Sequence, residues 1–167
     1  EGIPGYPAIT KGKFLLAEYQ TELDRLAAEI IENNPNLIVC LGGTALWALT
    51  GKTAITKLRG VTDTSTHTAT GFKLLPTYHP AYISRNWSER PVTVLDLMKA
   101  KRESEFPEIR RLSRQIWIEP SLPDLELFYE THIQSCRILS VDIETSGSRI
   151  TCIGFAPSSR IGIVIPF

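Results

Sequence analysis

The 167-residue sequence predicts an α/β protein: part of a parallel-sheet α/β/α unit, followed by a second piece that opens with strands. Three observations carry this. From Ala17 to Gly51 the order is amphipathic segment, short apolar run, glycine turn and second apolar segment, the repeating unit of an α/β sheet. A second apolar run, Lys73 to Tyr78, ends in His79-Pro80. Between Ile138 and Ile165 lie three strand-like runs joined by short turns, which reads as an antiparallel meander.

Residues 1–16 are rich in Gly, Pro and Lys and read as a loop. From Ala17 to Asn33, Leu23, Leu26, Ala27, Ile30 and Ile31 fall at helical spacing, with Glu18, Glu22 and Asp24 near the start as the helix dipole favours. Asn33-Asn34-Pro35 ends this helix. Asn36 to Leu41 is short, apolar and partly β-branched, which suits a buried parallel strand. Gly42-Gly43-Thr44 turns the chain into a short helix over Ala45–Thr50, stopped by Gly51. Residues 51–71 are polar and contain Lys57-Leu58-Arg59-Gly60. A helix is expected over Pro91–Glu105, with Val94, Leu95, Leu97, Met98 and Lys101 over successive turns. The charged stretch 102–115 is the expected domain boundary, its charges a solvated helix face. A short strand at 116–119 and a helix over Pro123–His132 then precede the meander.

Composition narrows the function. Eighteen basic and 18 acidic residues cancel, so net charge does not point to a nucleic-acid partner and any basic surface must be local. Cys40, Cys136 and Cys152 are far apart and show no metal-ligand spacing; they read as reduced buried thiols of a cytoplasmic protein. No run reaches membrane-spanning length, and no signal peptide is expected. The chain starts without Met and stops on an apolar strand, so it reads as a fragment of something longer.

The segment Leu75–Arg85 concentrates the chemistry. Pro80 fixes its own φ, lacks an N–H and pushes His79 out of helical geometry, so the strand stops with the imidazole at its carboxyl end. In open α/β sheets that edge is where sites form. Taken alone, the same pair is also what a histidine capping a strand looks like.

Three ordered motifs sharpen it. Asn36–Ala45 (NLIVCLGGTA), Leu58-Arg59-Gly60 and Pro76–Arg85 (PTYHPAYISR) together resemble the second half of a uracil-DNA glycosylase, most like the iron–sulfur branch of bacteria and archaea. The resemblance implies that a base is flipped into a pocket and that His79, as a neutral imidazole, donates to the uracil O2 as negative charge develops on the leaving base. It implies that Pro80, Ala81, Tyr82 and Ile83 form a loop that enters the minor groove as a wedge, and that Arg59 and Arg85 contact phosphate. Each arginine has the alternative of an ordinary surface position.

A second resemblance begins near Ile116. Ser140-Val141-Asp142-Ile143-Glu144-Thr145, followed by strands with Ile153-Gly154-Phe155, resembles the first motif of a 3′–5′ proofreading exonuclease of the DNA polymerase I type. Asp142 and Glu144 lie two apart on a strand and share a face, as two-metal hydrolysis by Mg or Mn would need. The alternative is two solvated acids at a strand end, which apolar Ile138, Leu139 and Ile143 argue against.

The expected organisation is therefore the C-terminal half of a glycosylase-like α/β/α domain over 1–105, a charged linker over 106–115, and the first strands of a ribonuclease H-like exonuclease domain over 116–167. The combination resembles the N-terminal part of certain bacteriophage DNA polymerases, acting on DNA in the cytoplasm of an infected host, with no membrane and no small-molecule cofactor. The alternative is a glycosylase fold that has lost its chemistry and only holds DNA. An α/β domain with a purely structural His-Pro loop leaves the three motifs and Asp142/Glu144 unexplained.

The family motif that positions water and stacks uracil would lie upstream. Glu1–Gly5 echoes it, but only about thirty residues separate it from Asn36, too few for the intervening elements, so the echo is read as accidental. The iron–sulfur branch carries cysteines where this chain has Ala17-Glu18-Tyr19-Gln20, so no cluster is expected. With half of each site in hand, the isolated chain is expected to have little glycosylase or nuclease activity.

Overall fold

The computed structural model describes residues 2–167; Glu1, first residue of the expected loop and of the Glu1–Gly5 echo, lies outside them. The chain forms two compact units, one ending at Ile109 and one running from Arg110 to Phe167.

In the first unit, α1 (Gln20–Asn33) follows a single 3-10 turn at Ala17–Tyr19 and ends on Asn34, whose left-handed backbone caps it by donating to the Ile30 carbonyl at 2.9 Å. Next come β1 (Ile38–Leu41), α2 (Gly43–Thr50), the single-turn α3 (Ile55–Leu58), β2 (Asp63–Thr64) and β3 (Lys73–Thr77). The order across the sheet is β1-β3-β2; β1 and β3 are parallel, from Ile38 opposite Leu74 to Leu41 opposite Thr77, and β2 adds a short antiparallel edge. The expected polar stretch 51–71 thus contributes a helical turn and an edge strand that its composition did not reveal.

Side-chain alternation along β3 explains its complete burial. Leu74 faces a core built with Ile30, Cys40, Leu46, Leu49 and Ala69, beneath α1 and α2. Lys73 and Thr77 face the other side, towards α5 (Arg90–Glu103), where Thr77 reaches Asp96 and Lys73 reaches the last turn. Helices on both faces of a largely parallel sheet make the unit an α/β/α layer structure. The buried Lys73 ammonium donates to the carbonyls of Glu103 at 2.6 Å, Phe106 at 2.5 Å and Glu108 at 3.1 Å, and lies over the Phe106 ring. Residues 106–109 are therefore part of the first unit, not linker as expected, because the buried Lys73 ammonium needs the Phe106 and Glu108 carbonyls as acceptors.

The N-terminal segment is irregular but not loose. Ile3 is buried with Leu23, Trp47 and Ala48, and Trp47 Nε1 donates to the Pro7 carbonyl at 3.0 Å.

Helix α5 corrects the expected pattern. Val94, Leu95, Leu97 and Met98 are exposed, while Asp96 and Ala100 turn inward. A carboxylate wins the core-facing position because it accepts three hydrogen bonds there, two from Arg59 and one from Thr77.

In the second unit, β4 (Gln115–Ile118) and α6 (Leu122–Phe128) precede β5 (Ser140–Ser146), β6 (Arg149–Ser158) and β7 (Ile161–Pro166). Strands β5, β6 and β7 are antiparallel in sequence order, and β4 joins the outer side of β7 in parallel. Ser121 and Asp124 form a reciprocal capping box at the start of α6, and the Ser121 hydroxyl and N–H hold the Asp124 carboxyl below its usual range. The helix expected to reach His132 changes to wider π-type turns over Tyr129–Ile133.

Candidate active site

Three sequence-distant motifs meet at the carboxyl end of β3. The Gly42 N–H donates to the Thr77 carbonyl at 2.9 Å, and the Gly60 N–H donates to the Pro76 carbonyl at 2.8 Å. Gly42 adopts φ +94, and a Cβ there would stand 3.0 Å from the Cβ of His79. The glycine turn after β1 and the turn after β3 therefore lie against each other, as neighbouring parallel strands require. Only glycine gives both the backbone angle and the close approach.

His79 is the N-cap of a six-residue helix, α4 (Pro80–Arg85), with Pro80 at its first position. The segment expected as a loop is thus helical: the proline that stops the strand is preorganised to start a helix. His79 has extended backbone angles, φ −69 and ψ 141, and its Nδ1 accepts from the Ala81 N–H at 3.1 Å. A backbone N–H can only donate, so Nδ1 is the acceptor and the neutral ring carries its proton on Nε2. His79 is exposed, which leaves this Nε2–H facing outward from the sheet edge as a donor without a protein partner among the described residues.

The expected wedge divides. Pro80, Ala81 and Tyr82 are exposed, but Ile83 is 9% exposed and belongs to the core, because helical spacing turns it inward. Tyr82 stacks on buried Tyr78 with ring centroids 4.7 Å apart.

Arg59 is not a free phosphate contact. Its Nε and Nη2 donate to the two Asp96 carboxylate oxygens at 2.9 and 2.6 Å, Nη2 also donates to the Val92 carbonyl at 2.9 Å, and its guanidinium lies 5.6 Å from the Tyr78 ring centre. Three of its five N–H donors are thus spent inside the protein, and the guanidinium backs Tyr78, the residue before His79. Asp96 is the site residue that the sequence reading missed. Its signal was an acid on a helix whose outward neighbours are apolar. Arg85 is exposed and has no ion-pair partner among the described residues.

Cys40 is the one cysteine of the first unit; it is buried in β1, and burial pushes its thiol up to about 12. A single protonated thiol inside a strand does not fit an iron–sulfur cluster, which needs several thiolates.

In the second unit Asp142 and Glu144 sit on β5, opposite Gly154 and Cys152 of β6. Both are exposed, and so are their apolar neighbours: Val141 is 53% and Ile143 52% exposed. They are therefore not carboxylates among buried residues, as the apolar neighbours led one to expect; β5 is an outer strand of the sheet, with no neighbour beyond it within this unit. Asp142 borders an apolar cleft of about 380 Å³ with Phe155 and Ile163. No group of three or more His, Cys, Asp or Glu is gathered among the described residues, so these two acids alone fit only part of a metal's ligand set.

Comparison with known proteins adds two findings. The model of the uracil DNA glycosylase superfamily matches residues 10–110, which takes in all three motifs. The Type-4 uracil-DNA glycosylase of Thermotoga maritima is 42% identical over 94 residues, 54% of this chain and 42% of that relative. The chain thus spans less than half the length of this relative.

Proposed function

Since this chain belongs to the uracil-DNA glycosylase superfamily, we propose that its first unit supplies the leaving-group half of a uracil-excision site in DNA, with His79 as the donor. The observation that carries the reading is the tautomer of His79: its N-cap bond to Ala81 leaves Nε2–H as an outward donor at the carboxyl edge of the sheet. As the C1′–N1 bond breaks, its electron pair moves onto the uracil ring, and a hydrogen bond from Nε2–H to O2 stabilises the anion; water then adds to C1′, and its proton passes through solvent to the departing uracil anion. Pro80, Ala81 and Tyr82 fill the gap left by the flipped base, and Arg85 contacts phosphate. Arg59 and Asp96 act as positioning residues behind Tyr78. With Ala17, Glu18, Tyr19 and Gln20 at the expected cysteine positions, this unit works without a cluster.

The second unit extends the reading. Asp142 and Glu144 on one strand, followed by two further antiparallel strands, support the start of a metal-dependent 3′–5′ exonuclease domain, as in a bacteriophage-type DNA polymerase acting in the host cytoplasm. The two carboxylates would hold part of a Mg or Mn site that activates water for phosphodiester hydrolysis when the metal is bound. No helix among the described residues is long and apolar enough to cross a membrane.

A second reading, a glycosylase fold that binds DNA without excising a base, is favoured by one observation: no acid or amide side chain hydrogen-bonds His79 among the described residues. Assays of uracil release from single- and double-stranded DNA by the full parent polypeptide separate the two. Loss of one such donor costs roughly 10²–10³ in rate, so His79→Ala is expected to lower excision by about that factor. Absence of excision with retained DNA binding supports the second reading. Robust turnover by the 167-residue chain itself would overturn the half-site reading.

A further inference from the structure

We propose that Trp87, with the Arg90 guanidinium stacked on it, is a platform that takes one nucleobase of the DNA strand flanking the base served by His79; the inference rests on the DNA reading above. Trp87 is 68% exposed, whereas Trp47 is 1% exposed. It is not an isolated surface ring. The Arg90 guanidinium carbon lies 5.3 Å from the indole centre. The indole also borders an apolar cleft of about 290 Å³, shared with Leu41, Thr77, Tyr78, Pro80 and Ser84. That is the small end of ligand-sized clefts, and it opens at the carboxyl ends of β1 and β3, beside the residue that precedes His79.

The turn carrying Trp87 is held at both ends. The Asn86 N–H donates to the Tyr82 carbonyl at 2.9 Å and to that of Ile83 at 3.1 Å, and Asn86 Nδ2 donates to the Tyr82 carbonyl at 3.0 Å. After the turn, Glu89 N–H donates to the Asn86 carbonyl at 3.0 Å, and Thr93 Oγ1 donates to the Glu89 carbonyl at 3.0 Å. A rigid indole loses little entropy when a base settles on it.

Charge selects the occupant. Residues 85–90 carry Arg85 and Arg90 against the single acid Glu89, and neither arginine is ion-paired among the described residues. An exposed aromatic face flanked by unpaired cations fits a base with its phosphates: the ring takes the π-face, and the cations take the backbone. Stacking of this kind does not depend on which base is present, as suits a flanking position.

The test is anisotropy titration of the full chain with a labelled single-stranded oligonucleotide containing one uracil. Base–aromatic stacking predicts that Trp87→Ala weakens binding roughly 5- to 150-fold, with Trp87→Phe close to the unmodified chain. An abasic residue placed at each position beside the uracil in turn should erase the difference between Trp87→Ala and the unmodified chain at one position only. Binding that ignores Trp87→Ala, or a loss that is the same at every abasic position, overturns the inference and leaves the DNA reading standing. No binding by the unmodified chain overturns both.

Discussion

Asp96 holds Arg59 with both carboxylate oxygens, at 2.9 and 2.6 Å, and the oxygen that accepts from Nε also accepts from Thr77 Oγ1 at 2.8 Å. One buried acid on α5 thereby ties the Arg59-Gly60 turn to the last residue of β3. Removing one partner of a buried pair leaves the other uncompensated, so Asp96→Ala is expected to cost about 3 kcal/mol, less than for a fully buried arginine because the Arg59 side chain is 22% exposed. Arg59→Leu combined with Asp96→Leu should cost less than the sum of the singles. Gly60 belongs to the same clamp: it has φ +72, and a Cβ there would meet Asp96 Oδ1 at 2.5 Å. Gly60→Ala should therefore cost more than Gly71→Ala, where φ is +97 but nothing lies within 4 Å. Urea unfolding midpoints of these variants, the two single leucine substitutions included, make the check.

Gly42 sets the position of His79 from the neighbouring turn. Gly42→Ala combines the cost of a backbone conformation that is essentially glycine's alone, φ +94 and ψ 174, roughly 1–3 kcal/mol, with a push on the His79 side chain, whose Cβ would be 3.0 Å away. Excision by the full parent polypeptide should fall more than the stability loss explains, with the folded fraction near one at assay temperature. A rate equal to the unmodified enzyme would show that the imidazole tolerates displacement.

Tyr82 and Ile83 are adjacent in sequence and opposite in role. Ile83 is 9% exposed, so Ile83→Ala should destabilise by about 2–3 kcal/mol as a core truncation. Tyr82 is 36% exposed, so Tyr82→Ala should change stability by about 1 kcal/mol or less while weakening binding to duplex DNA. Thermal unfolding and duplex titration of the two variants make the separation.

The Cys40 thiol is held up to about 12 by burial in β1, against an ordinary value of 9.0. Its folded value is raised, so its contribution to stability is whole below about pH 9 and fades as pH rises towards 12. Cys40→Ala should flatten that alkaline loss relative to the unmodified chain. A thiol reagent at neutral pH should label half-buried Cys136 and Cys152 before Cys40, which waits for unfolding.

Most of the frame was legible in the residues. The helix over residues 20–33, the parallel pair β1 and β3, the glycine turn between β1 and α2 and the antiparallel order of β5 to β7 follow from local patterning, because periodicity and turn chemistry act over a few residues. The place of His79 was legible for the same reason: proline acts on its immediate neighbour. Helix α5 was legible as a helix but not in orientation. Its apolar side chains recur over successive turns but do not say which face turns inward; a single acid with partners 19 and 37 residues away takes that face.

The amino-acid order alone singles out the candidate residues: a histidine before a proline, two acids two apart on a strand, and three motifs that resemble those of a glycosylase. What those residues can reach depends on the folded arrangement. It turned Arg59 inward to Asp96, sent Ile83 into the core, left the Asp142 and Glu144 strand exposed and gave His79 its outward Nε2–H. The reason is physical. Secondary structure is settled by neighbours along the chain, whereas a side chain's hydrogen bonds and burial are settled by partners that only folding brings within 3 Å or so.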